Sequence, residues 1–383
     1  MLTRALIHLD RFIQNYNTVK ARLGQTRICV PVKADGYGHG ALQIAKTSLE
    51  IGAFCVGVAS VSEGEELRNA GISAPILLFS QPHPDEIPNL LEAKLIPFIS
   101  DEEFASVINK QAEDKKMILQ VHVKIDTGMS RLGCRPEEAL SLAKFITSCS
   151  GLSLTGTATH LAVSDSANEQ DVAFTKSQLA SFKEAVDVIK KAGIDPGIVH
   201  VANSGAVILH PESWLDMIRP GILLYGYKTV NEADAPPNHK LLLSGFTPIN
   251  VQPVMELRSA ITMIKHIKKG ETVSYGRTWT APQDTYVAIL ATGYADGLPR
   301  LSSNKWQVSI DGNNYPIVGR ICMDQCCVDL GPKPALNRWK EAVVFGGAAG
   351  NAGELAAVTG TIPYEITCNI NKRVPRIYDG NNG

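Results

Sequence analysis

The chain has 383 residues, of which 44% are apolar, 20% charged and 6% aromatic, and its 37 basic and 38 acidic residues leave a formal charge of −1. That length supports two domains with substantial cores. The even balance, with no basic run, excludes nucleic acid or an anionic membrane as the main partner. The eight cysteines are too few for a disulfide scaffold in so long a chain. Cys322, Cys326 and Cys327 cluster, but no CxxC pair occurs and no second pair at ligand spacing follows. Reduced structural thiols are therefore expected there, and no metal. The opening segment MLTRALIHLD is interrupted by Arg4, His8 and Asp10, unlike a secretory signal. No stretch approaches the roughly eighteen apolar residues of a membrane span. A cytoplasmic enzyme is expected.

In chain order, a helix over Arg11 to Leu23 comes first. Short apolar, β-branched runs then recur at 28–33, 54–60, 75–80, 95–100, 117–126, 152–161, 198–204 and 213–219. Several are apolar at successive positions, as strands covered on both faces require. Amphipathic charged segments alternate with them: Gly40 to Ile51, Asp101 to Lys115, Pro136 to Cys149, and Glu169 to Ala192. Gly193 and Pro196 stop the last of these. About eight strand–helix units predict an α/β fold, a (β/α)8 TIM-type barrel of roughly 200–250 residues. An open doubly wound sheet is the alternative.

The pattern changes near residue 230. The polar, proline-containing segment NEADAPPNHK (Asn231 to Lys240) reads as a linker. Alternating runs follow, VMELRSAITMI, TYVAILATGY, WQVSIDG and YPIVGRICMDQCCVDL, separated by turn residues. They predict a mostly antiparallel β domain. A helix is expected over Asn351 to Val358. The expected division is a barrel over 9–233 and a β domain over 234–383, the latter joined by an N-terminal strand at 1–8.

The most informative segment is PVKADGYGHG, Pro31 to Gly40. Lysine 33 closes an apolar strand, and in a barrel the strand C-terminal ends face the active site. Desolvation there lowers a lysine's pKa, and a neutral amine can attack an aldehyde. Tyr37, four residues on, can reach the same ligand. Alone, the segment reads first as a surface lysine at a strand end before a glycine-rich turn. Yet His160, Ser204 and Arg219 fall at the corresponding ends of the sixth, seventh and eighth candidate strands. Ser204 and the amides around Gly221 suit a phosphate, which barrels often bind after strands 7 and 8. A lysine opposite a phosphate site suggests pyridoxal phosphate.

VKADGYGHG, KIDTGMSRLG, THLAVSD, ANSGA, RPGILLYG, VSYGRTW, GYADGLPR, GRICMDQ and IPYE, in this order, resemble the alanine racemase family from Arg4 to about Tyr378. One departure is Asp35-Gly36, where many members carry Asn-Ala. The resemblance implies a homodimeric pyridoxal 5′-phosphate enzyme that interconverts L- and D-alanine, the D-isomer supplying bacterial peptidoglycan. It implies a barrel plus a β domain, with each barrel site completed by the other subunit's C-terminal domain. It makes Lys33 the Schiff-base lysine and one base, and Tyr275 of the second subunit the other. It puts Tyr37, Ser204, Gly221, Ile222 and Tyr364 around the phosphate, Arg219 at the pyridine nitrogen and His160 near the ring. It makes Arg131 and Met323 substrate-binding, with Asp324 beside them, and Lys124 a candidate for carboxylation by carbon dioxide.

Two bases on opposite faces of Cα can racemise directly, whereas one base must move. Arg219 stays charged and supplies no proton to a ring nitrogen, which implies a weakened electron sink. A racemase of serine or lysine is the nearest rival, and the bulk of Tyr364 argues against it. A pyridoxal-phosphate homeostasis protein would lack the β domain and Tyr275, Met323 and Tyr364 with it. A lysine-dependent barrel aldolase would leave Arg219 unexplained.

Overall fold

The structure is a computed structural model and describes residues 2–230, 240 and 244–380. The expected linker therefore lies, except for Lys240, outside the described residues. Strand β1 (Thr3–His8) and helix α1 (Leu9–Leu23) come first. Eight parallel strands follow: β2 (Arg27–Pro31), β3 (Cys55–Val58), β4 (Ile76–Leu78), β5 (Ile96–Ile99), β6 (Leu119–Lys124), β7 (Leu152–Ala158), β8 (Ile198–His200) and β9 (Met217–Ile218). Each pairs with the next, and β9 returns to β2. The sheet thus closes and has no edge. Closure rules out the open doubly wound alternative.

Seven helices follow the first seven barrel strands: α2 (Ala41–Glu50), α3 (Val61–Asn69), α4 (Ile87–Glu92), α5 (Glu102–Asp114), α6 (Ala139–Ser148), α7 (Glu169–Lys191) and α8 (Ser204–Leu209). Their starts are chemically marked. Ser60 and Glu63 form a reciprocal capping box at α3, and the Asp101 carboxylate accepts from Phe104 N at α5. Helix α7 carries Glu169 and Asp171 in its first turn and Lys190 and Lys191 in its last, which complements its dipole. Beside β9 the outside of the barrel is covered from the other end of the barrel's sequence. Helix α1 lies there: Asn15 Nδ2 donates to Leu224 O (3.0 Å) and Gln252 O (2.8 Å), and Phe12 packs on Tyr225.

The remaining strands are β10 (Met255–Ile267), β11 (Thr272–Val273), β12 (Trp279–Thr280), β13 (Thr285–Leu290), β14 (Gln307–Ile310), β15 (Asn313–Pro316), β16 (Cys326–Gly331) and β17 (Glu341–Phe345). Helices α9 (Ala352–Thr359) and α10 (Pro363–Cys368) and strand β18 (Arg376–Asp379) complete the fold. The sheet runs β15-β14-β17-β10-β1-β18, with β13 bridging β10 and β16. Strand β1 pairs antiparallel with β10 and parallel with β18. The chain's beginning and end are thus neighbours in the sheet that follows the barrel. Strands β14 and β15 form a hairpin through Asp311-Gly312, both at positive φ (51° and 80°), the geometry such two-residue turns demand. The run read as continuous from Tyr315 to Leu330 is two strands. The chain leaves the ladder between Pro316 and Cys326, and that loop carries Met323 and Asp324.

Candidate active site

The site forms where polar residues leave the C-terminal ends of the barrel strands. Lys33 and His160 each lie two residues beyond their strands, β2 and β7, and Ser204 lies four beyond β8, at the start of α8. Arg219 follows β9 directly, and Lys124 is the last residue of β6. Residues just past the strand ends keep backbone bonds to the neighbouring strand segments, Val32 N to Gly57 O (2.7 Å) and Arg219 N to Ala202 O (2.8 Å), which fixes where these side chains start.

Lys33 opens an unusual turn. Ala34, Asp35, Gly36 and Tyr37 have φ of 52°, 53°, 61° and 54°, a run of left-handed residues. Each non-glycine residue there is disfavoured by roughly 1–2 kcal/mol. Local bonds offset this: Gly36 N to Val32 O (2.7 Å), Gly38 N to Ala34 O (2.9 Å) and Gly40 N to Asp35 O (2.8 Å). Two carboxylates help, since Glu63 Oε1 accepts from Ala34 N (2.7 Å) and Asp35 Oδ1 from Ala41 N (2.9 Å). Tyr37 is buried, its ring against Tyr225 and Tyr364 at centroid distances of 4.8 and 5.9 Å.

A cavity of about 260 Å³ gathers Lys33, Tyr37, Lys124, Arg131, His160, Ser204, Arg219, Gly221 and Tyr364. Four of its lining residues are lysine or arginine, and none of its lining residues is a carboxylate. Such a cavity favours an anion. At one end Gly221 leaves room: a Cβ there would stand 2.6 Å from Tyr37 Oη and 3.8 Å from Ser204 Oγ. Ile222 is fully buried and does not line the cavity. Tyr275, Met323 and Asp324 do not line it either, and the side chains of Tyr275 and Met323 are exposed, at 70% and 53%. Asp324 accepts from Arg373 Nη2 (2.7 Å), whose Nε donates to Asp296 (2.8 Å).

Arg219 is buried and, among the described residues, has no carboxylate partner. It donates from Nη1 to His200 Nδ1 (2.6 Å) and from Nη2 to Thr159 O (2.9 Å) and Val201 O (3.0 Å), with His160 Nδ1 at 3.4 Å. Accepting at Nδ1 leaves the His200 proton on Nε2, which faces His122 Nδ1 at 2.8 Å. Sequence reasoning missed His200 and His122, because a histidine within an apolar strand reads as core. Burial and the nearby guanidinium push His200 and His160 well below the usual histidine range, and His122 down to about 3. Burial lowers Arg219 itself to about 10. Lys33 is lowered by burial and then by Arg131. Lys124 is brought down to about 7 by burial and Arg219. Burial raises the Tyr364 hydroxyl to about 12. The site is a set of fixed donors and cations around neutral imidazoles.

All eight cysteines are free, and the described residues contain no histidine, cysteine or carboxylate group suited to a metal. Among them no helix is long and apolar enough to cross a membrane.

A closed barrel with lysine and arginine side chains gathered in a cavity at its strand ends, followed by a mostly antiparallel sheet, is the layout of a barrel enzyme. The alanine racemase N-terminal domain matches residues 7–229 and the alanine racemase C-terminal domain residues 254–378. The alanine racemase of Treponema denticola is 48% identical over 98% of both chains. A solved alanine racemase of Clostridium difficile superposes with a TM-score of 0.91 at 33% identity, over 100% of this chain and 97% of that one. One from Bartonella henselae, solved with covalently bound pyridoxal phosphate, superposes at 0.84 and 27% identity over 99% and 100%. The chain belongs to the alanine racemase family, whose reaction is the interconversion of L- and D-alanine.

Proposed function

We propose that pyridoxal 5′-phosphate occupies the Lys33 cavity and that alanine is racemised between two bases, Lys33 and Tyr275 of the partner subunit. The observation that carries this reading is a cavity lined by two lysines, two arginines and no carboxylate, with the Lys33 amine among them. The residues fit the cofactor chemically. Tyr37, Ser204 and the space kept by Gly221 suit a phosphate, with Ile222 and Tyr364 adjoining. Arg219 would hold the pyridine nitrogen and His160 would flank the ring. When bound, the cofactor supplies an aldehyde that takes up the substrate amine and a conjugated ring that draws electron density from Cα.

Burial and Arg131 keep the Lys33 amine less basic than an ordinary lysine. It can therefore take a proton at Nζ and give it back more readily than an ordinary lysine. Tyr275 Oη would serve the opposite face of Cα. Arg131 and the Met323 loop, with Asp324 beside it, would hold the substrate carboxylate. Arg219, charged below about pH 10, keeps its protons. It limits how strongly a ring beside it withdraws electrons, so the proton returns to Cα rather than elsewhere. The ring of Tyr364 restricts the side-chain space to a methyl group. The exposure of Tyr275 and Met323 supports a homodimer with shared sites. We place the enzyme in the cytoplasm, which suits eight free thiols, with D-alanine destined for peptidoglycan.

The test is an amino-acid panel with D-specific detection. L-alanine should turn over fastest, and Lys33→Ala should lose both exchange and the visible absorbance of the bound cofactor. Faster turnover of L-serine or L-lysine would overturn the assignment of substrate.

A further inference from the structure

The turn that carries Lys33 is covered on its outer side by the last residues of the chain. Arg376 on β18 donates from Nε to Gly38 O at 2.9 Å. Its Nη1 donates to Asn371 O (2.8 Å) and Val374 O (2.7 Å), and its Nη2 to Ile370 O (2.7 Å). Nη2 also lies 3.6 Å from Asp35 Oδ2, in the middle of the left-handed run, and the Arg376 side chain is only 9% exposed. The other Asp35 oxygen accepts from Ala41 N, so one carboxylate binds both the turn and the guanidinium. Two glycines mark how closely the segments meet. A Cβ on Gly38 would fall 1.9 Å from Thr367 O, and one on Gly40 1.9 Å from Tyr378 Oη.

A left-handed run containing alanine, aspartate and tyrosine relaxes toward ordinary conformations unless outside contacts hold it. Only a planar fork with five N–H groups reaches this many acceptors at once; a lysine cannot. The C-terminal segment thus encloses the lysine turn from behind, while the cavity lies in front.

We propose that Arg376 and Asp35 form a latch between the two domains that holds the left-handed turn and so sets the position of the Lys33 amine. Both are positioning residues, since neither lines the cavity. The proposal rests on the reading that Lys33 carries pyridoxal phosphate. It goes further in making the C-terminal strand a part of the lysine's placement. Strand β18 pairs with β1 through backbone bonds that use no atom of the Arg376 side chain, so a change of that side chain leaves those bonds their donors and acceptors.

The experiment uses the holoenzyme and follows two signals: the rate at which pyridoxal phosphate leaves during dialysis against a carbonyl trap, and the visible circular dichroism of the bound cofactor. Arg376→Gln should release cofactor about 10-fold faster, and Asp35→Asn, which keeps an acceptor for Ala41 N, about 3-fold faster. Arg376→Lys keeps the charge without the fork and should fall between Arg376→Gln and wild type. The double variant should release cofactor no faster than Arg376→Gln alone, because both changes break one contact. The visible circular dichroism should weaken in each variant while the far-ultraviolet spectrum stays unchanged. Wild-type release and visible circular dichroism in Arg376→Gln, or single effects that multiply in the double variant, would overturn the latch. If Arg376→Gln fails to fold, Asp35→Asn and Arg376→Lys with their combination give the same comparison. Lys33→Ala separates the two readings. If it keeps the visible absorbance, the assignment of Lys33 falls. If it loses the absorbance while the latch variants match wild type, only the latch falls.

Discussion

Lys124 shows how far surroundings change a residue's chemistry. Its amine is buried, donates to the carbonyl of Ile125 at 3.3 Å, and lies near the guanidinium groups of Arg219 and Arg131. Burial is the main cause, and Arg219 the next, of a pKa near 7 instead of 10.5. A lysine whose folded pKa is depressed binds fewer protons when folded. Its destabilising effect is therefore full below about pH 7 and vanishes as pH rises to 10.5. Relative to Lys124→Met, the bare amine should gain stability across that window, measured by urea unfolding at several pH values. An amine near neutrality is also a good acceptor for carbon dioxide, and the carbamate's negative charge would face Arg131. In bicarbonate the pH dependence should disappear and the intact mass rise by one carbon dioxide. An unchanged mass and an unchanged pH profile would leave a bare amine. Lys33, Ser204 and Arg219 were readable as site candidates, because each polar residue closes an apolar run. His122 and His200 were not, since only the closed barrel brings both next to Arg219.

At the scale of elements, Glu256 on β10 ties the first strand and helix to the β sheet. Its Oε1 lies 3.1 Å from His8 Nε2 and 3.4 Å from Arg11 Nη2, and its Oε2 2.7 Å from Arg258 Nη2. Arg258 continues to Glu341 on β17 (2.9 Å), which also pairs with Arg4. The close contact of His8, and then the hydrogen bonds from Arg258, lower the Glu256 carboxyl to about 2 from 4.5. A depressed carboxyl stabilises the fold fully above its unfolded pKa and loses that effect as pH falls through its folded pKa. The window here runs from about 4.5 down to about 2, and the shift corresponds to on the order of 3 kcal/mol. Glu256→Gln should unfold at lower urea concentration than wild type at pH 7, and the difference should shrink toward pH 2. A constant difference would show that packing, not charge, is responsible. The pairing of β1 with β10 could be suspected from an apolar strand without an early neighbour. Its parallel pairing with β18 could not, because the two segments lie at opposite ends of the sequence.

At the scale of the molecule, the two proposed bases stand apart. Lys33 lines the cavity, whereas Tyr275 projects from the β domain with 70% of its surface exposed. Shared sites make a specific prediction. Lys33→Ala and Tyr275→Phe dimers, each inactive, should regain activity when subunits are exchanged. Each mixed dimer then holds one intact site, so random exchange restores roughly a quarter of wild-type activity. No recovery, with exchange verified by mass, would mean that each chain completes its own site.

Local chemistry determined much of this protein. Apolar runs of strand length, charged helical segments between them and alternating runs after residue 230 lead to a barrel and a sheet, because burial on two faces or one dictates the pattern. Polar residues closing those runs mark Lys33, Ser204 and Arg219. Tertiary structure decided what depends on residues far apart in the chain. Closure of β9 onto β2 brings Lys33 and Arg219 to one cavity. The C-terminal strand returns to the lysine turn and sets Arg376 against Asp35 and Gly38. Neither contact has a periodicity or a spacing to reveal it. A pKa near 7 for Lys124 likewise comes from the charges and burial that folding assembles around it.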